Sequence, residues 1–131
     1  MIFVDTGAWF AISVATDPHH QVALQWLNGN NRPFLTTDYV IDETLTLLKV
    51  RGEGKRAQLA AKRLFVGMDA TIHFLTESEI RTAADIFRRF SDKDWSFTDC
   101  TSKAVMERLG ITKAFAFDHH FRQFGGIAVV P

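Results

Sequence analysis

The segment Phe115–Phe121, which reads FAFDHHF, ends a short apolar run with one carboxylate and two imidazoles. Three interpretations fit these residue types: a metal site built on the histidines, a metal site built on Asp118, or a helix cap beside two surface histidines. Asp5 follows the apolar run Ile2–Val4 in the same way. If both runs are parallel strands of one sheet, both acids lie at the rim where ligands bind. Each acid alone is typical of an N-cap, but the two together favour a site.

Two further acids lie at the edge of an apolar helical arc. At about 100° per residue, Glu43 borders the apolar side of its predicted helix, whereas Asp42 points to the opposite side. A half-sheltered glutamate needs a partner, so an ion pair or a snorkelling side chain remains an alternative to a site. Asp99 has a similar position on a later helix. The spacing Ser96-x-x-Asp99 also matches a capping box, and the two roles are compatible.

Four carboxylates from four segments cannot gather without neutralisation, because like charges raise one another's pKa. A bound cation removes that repulsion, and ligation by oxygen alone favours Mg²⁺ or Mn²⁺. Such ions position a phosphodiester and activate water, which is the chemistry of a metal-dependent nuclease. The candidate catalytic and metal-binding residues are Asp5, Glu43, Asp99 and Asp118.

These acids require a scaffold of alternating strands and helices. The predicted strands are Ile2–Val4, Phe34–Thr36, Thr71–Leu75, Ala114–Phe117 and Ile127–Val130. The predicted helices are Thr6 to about Val14, His20–Leu27, Asp38 or Tyr39 to Lys49, Lys55–Val66, Glu77–Phe90 and Phe97–Leu109. This alternation predicts an α/β fold with a mostly parallel sheet, and 131 residues suit one domain spanning 1–131.

Composition narrows the class of protein. The chain has 15 Lys and Arg against 15 Asp and Glu, so a strongly basic nucleic-acid footprint is absent. A single cysteine, Cys100, excludes an intramolecular disulfide and a zinc site of several thiolates; we expect it to be a small buried side chain. Without a basic amino terminus or a run of roughly 18 apolar residues, we expect a cytoplasmic protein with no membrane span.

Four segments, in order, resemble the PIN-domain family and, within it, the VapC-like toxins. They are Ile2–Thr6, Asp38–Leu45, Ser96–Cys100 and Phe115–Phe121. The resemblance implies a three-layer α/β/α sandwich with a four- to five-stranded sheet, and a ribonuclease that depends on Mg²⁺ or Mn²⁺. It implies that the metal-binding quartet is Asp5, Glu43, Asp99 and Asp118, with Thr6 and Ser96 orienting carboxylates or water. It further implies an RNA substrate, a small antitoxin protein and a homodimer. Gly7 departs from the family, in which a serine often follows the first Asp-Thr.

Other functions remain as alternatives. They are an RNA-processing nuclease that is not a toxin and a non-catalytic module that binds RNA or protein. A phosphoesterase of the DHH type would need further motifs and a much longer chain of two domains.

Several further residues have open roles. Trp95 is the aromatic residue most readily placed near a substrate. Adjacent His19 and His20 diverge on a helix and make a poor metal site, His73 is expected to be structural, and His120 is expected to pack or hydrogen-bond near the site. One group is either an RNA-backbone patch or a solvated face: Lys49, Arg51, Lys55, Arg56, Lys62 and Arg63.

Overall fold

The computed structural model describes residues 1–131 as five strands, six α-helices and one 3-10 helix. In chain order the elements are β1 (Ile2–Val4), α1 (Thr6–Ser13), α2 (His20–Gly29), β2 (Phe34–Thr37), α3 (Asp38–Val50), α4 (Gly54–Phe65), β3 (Thr71–His73), α5 (Glu77–Arg89), α6 (Phe97–Leu109), β4 (Lys113–Phe115), the 3-10 helix (His119–Gln123) and β5 (Ala128–Val130). Every predicted strand and helix forms, with ends that differ by a few residues. The 3-10 helix was not predicted.

The five strands form one parallel sheet in the order β3-β2-β1-β4-β5. Strand β1 is central: Phe3 pairs with Leu35 of β2 on one side and with Ala114 of β4 on the other. All three β1 side chains are buried, as expected for a strand covered on both faces. The predicted α/β fold with a parallel sheet is therefore confirmed. Because β1, β2 and β4 run in the same direction, the segments that follow them begin at one common rim.

Aromatic packing fixes the segment that follows β4. The ring of Phe121, in the 3-10 helix, is fully buried and lies 6.0 Å from the ring of Phe3 in β1. Phe124 packs 4.6 Å from Phe121 between ring centroids. These contacts bury large apolar surfaces and hold the 3-10 helix against the sheet. They thereby position Asp118 and His120 at the rim.

A buried carboxylate joins α5, α6 and the end of β3. Glu79 is 2% exposed, and its carboxylate accepts hydrogen bonds from the Thr76 backbone N–H (2.8 Å), the His73 ring (2.9 Å) and Arg108 (3.1 Å). Burial alone would raise the pKa of Glu79, but the Thr76 N–H and His73 lower it to about 2. His73 therefore has the structural role expected for it.

None of the six helices combines the length and the apolar character needed to cross a membrane.

Candidate active site

The four predicted acids lie together in one cleft of about 350 Å³ at the carboxyl-end rim of the sheet. Its lining contains no Lys or Arg. The lining residues are Asp5, Thr6, Gly7, Glu43, Leu47, Ser96, Asp99, Asp118 and His120. The cleft therefore also contains the two hydroxyl residues, Thr6 and Ser96, that were expected to assist the acids.

Asp5 occupies the N-cap position of α1, yet its side chain does not act as a cap. Its backbone carbonyl accepts from the Ala8 and Trp9 amides, while the carboxylate makes no capping hydrogen bond. The residue is 4% exposed, and its Oδ1 atom is buried without a hydrogen-bond partner. A buried carboxylate oxygen without a partner is costly. Among the carboxylate oxygen atoms of the cleft, Oδ1 of Asp5 therefore gives the strongest indication of a bound ligand.

Asp99 forms part of a cap and also faces the cleft. Its Oδ2 atom accepts from the Ser96 backbone N–H at 3.0 Å, and the Asp99 N–H donates to Ser96 Oγ at 3.0 Å, which completes the capping box. His120 Nδ1 lies 2.9 Å from the same Oδ2 atom. Ser96 and His120 together fix the orientation of the Asp99 carboxylate.

Glu43 is half-buried and lines the cleft, whereas Asp42 is exposed, as helical phase predicted. Thr6, in the first turn of α1, packs at the same place. Its hydroxyl lies 3.5 Å from the Val40 carbonyl, a long contact, and it partly offsets the rise in the pKa of Glu43. Thr6 and Glu43 therefore join α1 to α3 across the cleft.

Asp118 lies farther from its strand than predicted, because β4 ends at Phe115 instead of Phe117. Asp118 is the N-cap of the 3-10 helix, and its Oδ1 accepts from the His120 backbone N–H at 2.9 Å. The same Oδ1 lies 3.2 Å from His120 Nδ1 and 3.4 Å from His119 Nδ1. Asp118, His119 and His120 could thus offer ligand atoms within 4.8 Å of one another. His120 Nδ1 already contacts Asp99, however, so the geometry favours His120 as a bridge between two acids.

Electrostatics make this cleft unfavourable without a cation. Burial, and then the charge of Asp99, raises the pKa of Asp5 to about 8. Burial is also the main cause of the raised pKa of Glu43 and of Asp99, with neighbouring acids contributing. Shifts of this size cluster at functional sites. Neutralising such a cluster takes protons or a metal ion, and its oxygen atoms suit a hard divalent cation.

One expectation near the cleft was wrong and another was confirmed. Trp95 is 5% exposed; its Nε1 donates to Gln123 Oε1 at 2.8 Å, and its ring packs between Phe90 and Phe124. Its placement near substrate was wrong, because a partner 28 residues away satisfies its polar atom and lets the ring enter the core. Cys100 is buried, as predicted; burial raises the pKa of its thiol to about 11.

The basic group on α3 and α4 is smaller than the sequence suggested. Arg56 pairs with Glu53, and Arg63 makes a bidentate pair with Asp69. The basic side chains that remain without an ion pair are Lys49, Arg51, Lys55 and Lys62. Fewer side chains are therefore available to contact an RNA backbone.

A family model described as the PIN domain matches residues 2–127, which include all four acids. The chain belongs to the PIN-domain family. Because the match covers nearly the whole chain, it includes both the parallel sheet and the residues that line the acidic cleft. PIN domains include divalent-metal-dependent nucleases, and a cleft of four carboxylates without Lys or Arg suits that chemistry.

Relatives of this PIN domain are ribonucleases. The chain is 35% identical over 131 residues to the 23S rRNA-specific endonuclease VapC20 of Mycobacterium tuberculosis, covering 100% of this chain and 99% of that protein. It is 29% identical over 127 residues to a VapC ribonuclease of Archaeoglobus fulgidus, covering 90% of this chain and 77% of that protein. The protein is thus a VapC-like ribonuclease.

Solved structures agree with this fold. The crystal structure of M. tuberculosis VapC20, described as a toxin that cleaves the sarcin–ricin loop, superimposes with a TM-score of 0.93 at 32% identity and covers 100% of both chains. FitAcB from Neisseria gonorrhoeae gives a TM-score of 0.70 at 14% identity, covering 100% of this chain and 97% of that one. The second likeness concerns the fold alone.

Proposed function

We propose that this ribonuclease is the toxin of a toxin–antitoxin pair and cleaves RNA with Mg²⁺ or Mn²⁺ held by Asp5, Glu43, Asp99 and Asp118. The observation that carries the proposal is the buried Asp5 Oδ1 atom, which has no hydrogen-bond partner in a cleft without Lys or Arg. A divalent cation gives that oxygen a partner and offsets the mutual repulsion of the acids. Because the polar side chains that line the cleft offer only oxygen and imidazole nitrogen atoms, the residues present fit such an ion.

The metal would supply an activated water and would stabilise negative charge on the phosphate and the leaving oxygen. The remaining contributions come from side chains of this chain. Ser96 and His120 hold the Asp99 carboxylate by hydrogen bonds at 3.0 Å and 2.9 Å, which restricts its rotation. Thr6 supports Glu43 from α1. These contacts preorganise the oxygens, so little reorganisation is needed when a phosphodiester binds.

We propose the sarcin–ricin loop of 23S rRNA as the substrate. Support comes from the similarity to VapC20, which extends over 100% of this chain and 99% of that protein. A structured loop with unpaired bases is also the kind of RNA that proteins recognise sequence-specifically. Since this substrate is ribosomal, we propose the cytoplasm as the site of action.

The test is cleavage of a sarcin–ricin hairpin and of purified ribosomes with Mg²⁺, Mn²⁺ or EDTA. We expect site-specific cleavage by the wild type that EDTA abolishes and that Asp5→Asn lacks. Asp94→Asn is the matched control, because Asp94 is exposed and makes no ion pair. Equal cleavage by wild type and Asp5→Asn, or cleavage in EDTA, would overturn the metal-dependent mechanism. Cleavage of other RNAs but not of this hairpin would overturn the substrate alone.

The proposed antitoxin would place an amphipathic helix in a second cleft. This cleft, of about 380 Å³, lies between α1, α2 and α4 and is lined mainly by apolar side chains, with Arg56, Arg63 and Asp69 also in the lining. An apolar groove with charged side chains is suited to a helix with one apolar face. Leu59 is 59% exposed in this lining. Leu59→Glu should abolish co-purification with the product of the neighbouring reading frame while leaving RNA cleavage unchanged.

We propose that a second copy of the chain packs on an aromatic face formed by Tyr39, Phe87 and Phe97. The Phe97 ring lies 6.2 Å from Tyr39 and 5.8 Å from Phe87, and Phe87 is 51% exposed. An exposed aromatic ring that packs on two half-buried ones is typical of interfaces. Light scattering after size exclusion should report a dimer for wild type and a monomer for Phe87→Glu. Phe65→Glu, at a phenylalanine outside this face that is 59% exposed, should remain dimeric.

A further inference from the structure

An aromatic pair joins the start of α2 to the segment that follows β4. The His19 ring stacks on the Phe117 ring with centroids 4.4 Å apart and planes inclined by 12°. Phe117 directly precedes Asp118, one of the four acids of the cleft. Phe117 is therefore joined by a single peptide bond to a residue that lines the cleft.

His19 is held firmly while its ring remains accessible. Its backbone N–H donates to Asp17 Oδ2 at 3.0 Å, and its carbonyl accepts from the Ala23 N–H at 2.9 Å at the start of α2. The residue is exposed, and neither ring nitrogen makes a hydrogen bond within the protein. Below it, Phe117 is half-buried and packs against Phe115 at 5.9 Å. Backbone hydrogen bonds thus fix the main chain at His19, and stacking on Phe117 restricts the imidazole, which lowers the entropic cost of binding.

We propose that the outer face of the His19 ring, supported by Phe117, is a stacking site for an unpaired base of the RNA next to the cleaved phosphate. This inference rests on the proposed ribonuclease function of the cleft. Unpaired RNA bases bind proteins by stacking on aromatic side chains, histidine included, with polar groups nearby to contact base edges. The flat exposed ring and its free nitrogens offer both.

An RNA base suits this surface better than a protein segment does. An apolar anchor of a protein partner is normally enclosed in a concave pocket, whereas His19 is an exposed ring that lines neither the acidic nor the apolar cleft. The nearby His119 is not equivalent, because its Nδ1 atom contacts Asp118 at 3.4 Å and its ring meets His120 edge-on. His19 is therefore the imidazole available for stacking.

The experiment is a double-mutant cycle between His19 and single bases of a sarcin–ricin hairpin. Wild type, His19→Ala and His19→Tyr are compared on the intact hairpin and on a series that carries one abasic position each. Cleavage in Mg²⁺ gives kcat and KM, and fluorescence anisotropy gives Kd in a Glu43→Gln background that does not cleave. Phe65→Ala is the control, since Phe65 is also an exposed aromatic residue but ends α4 on the segment that leads to the amino end of β3.

We expect His19→Ala to raise KM and Kd roughly 5- to 100-fold with kcat nearly unchanged, the range that loss of one base stack produces. His19→Tyr should restore binding because it keeps an aromatic face. The difference between wild type and His19→Ala should disappear at one abasic position and persist at the others. Phe65→Ala should match wild type.

Three results would overturn the proposal. The first is equal Kd for wild type and His19→Ala. The second is a fall in kcat without a change in KM or Kd, which would make His19 a structural support for Asp118. The third is loss of binding to a protein partner with RNA binding intact. If the wild type cleaves no hairpin at all, the proposed substrate or activity fails instead, and anisotropy with the wild type still tests the stacking site.

Discussion

Replacing the ionisable carboxyl of Asp5 by an amide should stabilise the metal-free protein at neutral pH. Its pKa is about 8 in the fold against 3.8 ordinarily, with burial as the first cause and the charge of Asp99 as the second. A carboxyl whose pKa is raised by folding holds its proton more tightly in the folded state. Its contribution to stability is therefore complete below pH 3.8 and is lost as the pH rises to about 8.

The size of this penalty follows from the two pKa values. Once the acid is ionised in both states the cost is roughly 5–6 kcal/mol, and at pH 7, where the folded carboxyl is still mostly protonated, it is roughly 4 kcal/mol. Asp99 and Glu43 share the penalty, because neighbouring acids raise one another's pKa. We therefore expect Asp5→Asn to raise the free energy of unfolding at pH 7 by roughly 2–4 kcal/mol, and by less than about 1 kcal/mol at pH 4.

The assay is thermal unfolding followed by circular dichroism in EDTA, from pH 4 to pH 8. For a domain of this size each kcal/mol changes Tm by roughly 3–6 °C, so the effect is easily measured. With saturating Mg²⁺ or Mn²⁺ the order should reverse, because wild type gains binding energy that the variant lacks. Asp94→Asn, which removes an exposed carboxylate, should follow wild type throughout.

Two outcomes would refute this reasoning. One is a metal-free Asp5→Asn protein that is less stable than wild type at pH 7, which would show that the carboxylate has a stabilising partner within the fold. The other is a stability difference that does not change between pH 4 and pH 8, which would show that Asp5 ionises normally. Either result would remove the physical reason for placing a cation against Oδ1.

The remaining predictions concern the surroundings of the cleft and the α5–α6 contact. His120→Ala should slow RNA cleavage by roughly 10- to 100-fold, because it removes a contact that orients the Asp99 carboxylate. Asp118→Asn should abolish cleavage. Initial rates that show the reverse ranking would contradict this prediction. Glu79→Gln should lower the free energy of unfolding in urea by roughly 1–3 kcal/mol at pH 7. Since folding lowers the pKa of Glu79 to about 2, that loss should shrink as the pH falls from 4.5 toward 2. A Cβ at Gly7 would meet no atom within 4 Å, so Gly7→Ser should keep full cleavage activity, with Tm equal to or slightly above wild type; a drop in Tm would show hidden crowding.

The positions of the acids in the fold were predictable, because they follow from the local periodicity of the sequence. Asp5 comes after a buried strand, so a parallel sheet carries it to the rim whatever the rest of the chain does. Helical phase alone separated Glu43, which lines the cleft, from the exposed Asp42. Such patterns repeat over a few residues, and packing preserves them.

Contacts between distant segments were not predictable from those patterns. His120 reaches Asp99 across 21 residues, and Trp95 finds Gln123 across 28. In both cases the hydrogen-bond partner is too distant in the sequence for a local pattern to predict it. Trp95 can be buried only because Gln123 accepts its N–H. In the sequence, the polar segment Ser91–Asp94 that precedes it indicates an exposed loop instead.

Asp5, Asp99 and Asp118 each raised a choice between helix cap and metal site, and for two of them both roles apply. Asp99 and Asp118 each use one oxygen to accept a backbone N–H at the start of a helix, and each still lines the cleft. A carboxylate has two oxygens with several lone pairs, so capping does not exhaust it. Helix starts at the rim also present partial positive charge, which lessens repulsion among the acids. Asp5 is the residue that distinguishes a metal site from a simple helix cap. It lies at an N-cap position, its side chain makes no capping hydrogen bond, and one of its buried oxygen atoms has no partner. A cap alone gives no reason to bury that oxygen, whereas a cation does.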